Sequence, residues 1–168
     1  IVDTTTTPGT ATCADSQGNT YTQVVAQTKA GAGNAFGVWI FQAAAGSSAA
    51  DTVTVTYSQA TATVGLNIFE LSGATATGAV SAGGSGTGSP VTSTATTSLA
   101  FTDSDSFLIA GLSIGEGTTP TSTAGAGFTL DQVDVNNVME RAIGGITSPT
   151  TFPLTQSGGS GTNYWAEA

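Results

Sequence analysis

Apolar residues in this chain recur at every second position far more often than at helical spacing. Val53, Val55 and Tyr57 alternate with Thr52, Thr54 and Thr56. A period of two puts the apolar groups on one face and the hydroxyls on the other, which predicts a strand with one buried and one wet side. Val64, Leu66 and Ile68 repeat the pattern and run into Phe69 and Leu71, with 58–61 as the hairpin connection between the two strands. Further strands are predicted at 21–25, 35–41, 106–114, 128–130, 137–143 and 164–166. Residues 35–41 and 106–114 are apolar on both faces and read as central strands. Clusters of Gly, Asn, Asp and Ser at 15–19, 31–34, 115–117, 144–145 and 158–159 mark the turns. No stretch sustains the i, i+3, i+4, i+7 apolar face of a helix.

About ten short strands with no helices between them predict an all-β fold, an antiparallel β-sandwich. Parallel crossovers would need a helix or a long connection. The Gly- and Ser-rich segment 81–89 reads as a flexible loop inside a single domain spanning 1–168, because neither flank carries a full set of strands. The Thr-rich start of the chain, Ile1, Val2, Thr4, Thr5, Thr6 and Thr7, has strand-like composition. Such a segment either pairs within its own domain or adds to the sheet edge of a neighbouring subunit. A start at Ile1 without Met points to a processed mature chain or an excised fragment.

Composition narrows the function. Lys29 and Arg141 are the only cations against 11 acidic residues, for a formal charge of −9. That balance excludes a nucleic-acid partner, which needs cations to neutralise phosphates. The absence of His removes His-ligated metals, a His general base and a Ser-His-Asp triad. Cys13 stands alone, so it is read as a small buried side chain, with an intermolecular bridge as the lesser alternative. No run approaches the length of a membrane-spanning helix. Charged residues are 8%, and Thr, Ser and Asn supply the polarity instead, a habit of extracellular and cell-surface β-proteins.

Chemistry is sparse. Asp103 and Asp105 have the i, i+2 spacing of a carboxylate pair on one side of a strand, but the aromatic and cationic groups that accompany glycosidase carboxylates are few. They read as a solvated turn, and no enzymatic activity is expected. Asp15, Asn19, Asp51, Asp103, Asp105, Asp131 and Asp134 are hard oxygen donors for a structural calcium ion, densest at 131–136, yet no segment matches a known calcium-loop pattern. No resident cofactor is expected. Lys29 pairs with Glu70 or Glu140 or, less expectedly, forms an isopeptide bond to Asn. Glu140 and Arg141, adjacent on one strand, project to opposite faces. Trp39 and Trp165 serve either the core or a sugar ligand.

Several stretches resemble a module of secreted and cell-surface β-sandwich proteins of bacteria and archaea. They are Asp15-Ser16-Gln17-Gly18-Asn19-Thr20-Tyr21-Thr22, Val38-Trp39-Ile40-Phe41 with Ala43-Ala44-Ala45-Gly46, Thr52-Val53-Thr54-Val55-Thr56-Tyr57, and Phe69-Glu70-Leu71-Ser72-Gly73. Ala126-Gly127-Phe128-Thr129-Leu130 and Met139-Glu140-Arg141 extend it to about two-thirds of the chain. The resemblance implies a jelly-roll or immunoglobulin-like sandwich in surface, adhesive or fibre-forming proteins, and carries no catalytic residue. The module usually has a hydrophobic strand ahead of its Asp-Ser-x-Gly-Asn turn, where this chain has only residues 1–14. A strand from a neighbouring copy completes such a sheet most simply. The expectation is a structural subunit of an extracellular, pilus-like filament or surface array, a homopolymer built by strand donation through residues 1–7. Alternatives are an adhesin module that binds surface glycans through Trp39 and Trp165, and a virion decoration protein.

Overall fold

The Val53, Val55, Tyr57 alternation becomes a strand whose apolar residues are half-buried and whose Thr54 and Thr56 are exposed. The computed structural model describes residues 2–3, 7–29, 35–44, 49–73, 82–87, 91–93, 107–114, 121–133, 137–144, 154–157 and 162–167. Among them every regular element is a strand. The first six are β1 (Val2–Asp3), β2 (Ala11–Asp15), β3 (Tyr21–Lys29), β4 (Phe36–Ala43), β5 (Val53–Tyr57) and β6 (Thr61–Thr63). Then come β7 (Ala82–Thr87), β8 (Val91–Ser93), β9 (Phe107–Ile114) and β10 (Thr121–Thr123). The last four are β11 (Thr129–Val133), β12 (Asn137–Ile143), β13 (Leu154–Ser157) and β14 (Thr162–Glu167).

These strands form four antiparallel sheets. The orders are β3-β4-β1-β6, β11-β12-β9-β14-β7, β10-β13-β8 and the pair β2-β5. Both segments predicted to be central lie inside their sheets, β4 between β3 and β1 and β9 between β12 and β14. β4 lies against β14 and β9, and β3 against β14, so the two larger sheets approach each other there. The buried apolar side chains among the described residues are small: Ala11, Ala35 and Ala142. Val38, Trp39, Ile40 and Phe41 are half-buried.

Two expectations shift. Residues 82–87, read as part of a flexible loop at 81–89, form β7 and pair along β14, with Gly84 opposite Trp165 and Gly83 opposite Ala166. Glycine weakens a strand but lets a neighbour approach closely, and a composition rich in it hides a pairing that the partner strand supplies. The strand expected from Val64 onward is displaced to β6, which covers part of the predicted hairpin connection, while residues 64–71 join no ladder.

Local punctuation follows backbone chemistry. Every described residue with positive φ is a glycine, and Gly18 at 77° and Gly127 at 84° sit in the turns ahead of β3 and β11. In the second turn Phe128 N–H donates to Gly125 C=O at 3.0 Å. A register shift between Leu130 and Gln132 leaves Asp131 as the extra residue of a bulge in β11. Bulges re-aim side chains, and Asp131 Oδ1 there accepts from Arg141 Nε at 2.9 Å.

Candidate assembly surface

β1 is only two residues long, yet it bridges two strands. Val2 is in register with Phe36 of β4 on one side and Thr63 of β6 on the other, and Asp3 with Thr61. Val2 and Asp3 therefore pair within their own sheet in the single chain. Ile1, Thr4, Thr5 and Thr6 lie outside the described residues, and Thr7 is exposed.

β6 is the edge of this sheet, and the chain continues from it into an apolar row turned outward. Val64, Leu66, Ile68 and Leu71 are 52%, 51%, 60% and 41% exposed. Gly65, Asn67 and Phe69 between them are less exposed. Phe69 anchors the segment: its ring lies 5.4 Å from that of Phe107 in β9, and the Arg141 guanidinium sits 5.9 Å from its centroid. One side of the segment is thus held by the large sheet, and the other presents apolar groups to solvent. Its only charged residue, Glu70, is exposed.

The 15–19 turn brings Asp15, Asn19 and Asp51, three of the candidate calcium donors, close to one another, and commits the Asp15 and Asp51 carboxylates to protein donors. Asp15 Oδ1 accepts from Gln17 N–H at 3.0 Å and Asn19 N–H at 2.9 Å, and Oδ2 from Asn19 Nδ2 at 2.7 Å. Asp51 Oδ1 accepts from Ser16 Oγ at 2.7 Å and Ser16 N–H at 3.1 Å. Desolvation pushes the Asp15 carboxyl upward, but the donors from Asn19, Tyr21 and Gln17 outweigh it and hold the group at about 2. Tyr21 is pushed up to about 12 by desolvation, then by its bond to Asp15 and the charges of Asp15, Cys13 and Asp51. The turn is a self-satisfied clasp between the end of β2 and the start of β5. No group of three or more Cys, Asp or Glu among the described residues is placed to hold a metal ion. Asp103, Asp105 and Asp134 lie outside the described residues.

Trp39 is engaged in packing. Its ring meets Tyr57 edge-on at 5.3 Å, and it covers the backbone of Gly37. Tyr57 Oη in turn accepts from Gly9 N–H at 2.7 Å, tying the segment before β2 to β5 and β4. Tyr57 was legible only as an apolar member of an alternating strand, and nothing in the sequence signalled its partner 48 positions away. The side chains of Trp165 and Lys29 are not among those described. Cys13 is half-buried rather than fully buried, and desolvation followed by the nearby Asp15 charge raises its thiol pKa.

Glu140 and Arg141 do project apart, and only one of them reaches solvent. Arg141 pairs with Asp131, while Glu140 is 0% exposed, accepting from Gly125 N–H at 2.8 Å through Oε2. No helix among the described residues is long and apolar enough to cross a membrane. No protein-family model, curated protein or solved structure matches the chain.

Proposed function

We propose that this chain is a structural subunit of an extracellular filament or surface array, a β-sandwich of jelly-roll or immunoglobulin-like type joined to its copies by exchange of the N-terminal strand. The observation that carries this reading is β1. A strand in register with its neighbours at only Phe36, Thr63 and Thr61 fills a slot between β4 and β6. The same residues from a second copy would make the same backbone bonds, so exchange costs little and gives a head-to-tail joint. The outward row of Val64, Leu66 and Ile68 continues from the strand that borders this slot and supplies apolar area to cover at the joint. A surface of Thr, Ser, Ala and Gly with 8% charged residues leaves few ions to desolvate on contact. Extracellular placement rests on the same composition.

The test traps the strand. In a Cys13→Ser background, Val2→Cys with Thr63→Cys places two thiols at paired positions. Oxidised filaments should then run as a covalent ladder on non-reducing denaturing gels. Filaments whose subunits remain cross-linked monomers would overturn strand exchange, and native material without filaments or arrays in electron micrographs would overturn the assembly itself.

A further inference from the structure

Glu140 is the one fully buried large side chain among the described residues, and it is an acid. Its surroundings offer one donor for two oxygens. Gly125 N–H serves Oε2, and Oε1 has no hydrogen-bond partner. Its register partners are Leu130 on β11 and Ala110 on β9, and Ala142, two positions along β12, is buried as well. An ionised carboxylate here would leave a charged oxygen unsolvated and unpaired, whereas a neutral acid leaves only a hydroxyl. We propose that Glu140 is held as a neutral carboxylic acid, making the β11–β12–β9 sheet an acid-favoured element that loses stability when the group ionises.

The charged groups around it are few. On β11 there is Asp131, which is committed to Arg141, itself Glu140's neighbour on β12. β9, β10, β4 and the turn 124–128 carry none. On β14, Glu167 occupies the register position across from Ala110, in the same row as Glu140. Lys29, the chain's other cation, ends β3. Desolvation raises the Glu140 pKa from its ordinary 4.5, and the bond from Gly125 only partly opposes it. With the folded value above the unfolded one, the native state keeps a proton that the unfolded chain has lost. This contribution is whole below about 4.5 and is lost as pH rises from there through the raised folded value.

Two measurements on the full chain decide it. First, the unfolding midpoint is followed from acid to neutral pH for wild type and Glu140→Gln. The amide keeps an acceptor for Gly125 and cannot ionise, so the variant should gain on wild type steadily as pH rises through the window. A gap that stays constant with pH would overturn the proposal. Second, the side-chain carboxyl of Glu140 is titrated by NMR in wild type, which requires no variant to fold. Titration above the other glutamates is the expected result. Titration with or below the other glutamates, as a cation reaching it from a neighbouring strand would produce, overturns it.

Discussion

The indole of Trp39 occupies the space where a side chain at Gly37 would stand, so a Cβ added there falls inside the ring. Gly9 is tight for a related reason, since a Cβ would lie 2.8 Å from Gln59, Ser58 and Tyr57 atoms. Both glycines are buried, and both let one backbone approach an aromatic residue of this Trp39–Tyr57 joint. Gly37→Ala should therefore push the indole off Tyr57 and destabilise the fold by about 1–3 kcal/mol, the usual range for overpacking. Denaturant titration measures the loss, and the Trp39 indole N–H resonance should move with it. Unchanged stability and an unmoved resonance would mean that the ring does not rest on Gly37. The sequence marked Trp39 as core or ligand contact, but it marked neither glycine, because a close approach depends on a residue distant in the chain.

At the scale of elements, periodicity told which residues alternate and left open what they pair with. The strand at 53–57 is legible because its residues alternate, and the end of β12 because the turn at 144–145 follows it. Residues 64–71 carry equally good alternation, yet the ladder goes to β6 and the apolar row is left outside. β7 is the reverse case, where a partner strand overrides an unfavourable composition. Four exposed apolar side chains in so short a segment add little to the stability of one molecule. Leu66→Thr with Ile68→Thr should shift unfolding free energy by no more than about 0.5 kcal/mol per site. The same pair should sharply reduce filament yield in a sedimentation assay if a neighbouring copy covers the row. A large stability loss instead would show that the row packs within the molecule.

Over the whole molecule the dominant quantity is charge. Each copy carries −9 formally, with one of its two cations committed to Asp131. Identical copies therefore repel at long range, and close contact depends on surfaces with few ions, such as the row from Val64 to Leu71. Salt separates this long-range repulsion from the short-range contact. Raising ionic strength from about 0.01 M to about 0.15 M shortens the screening length from about 30 Å to about 8 Å. Copies that meet through an uncharged joint lose their repulsion and keep their contact, so assembly followed by light scattering should accelerate with added salt. A surface whose task is to capture a cationic partner behaves the other way, because screening weakens that attraction. Slower assembly at the higher salt would place charged pairs at the joint and remove the uncharged apolar row from the centre of the mechanism.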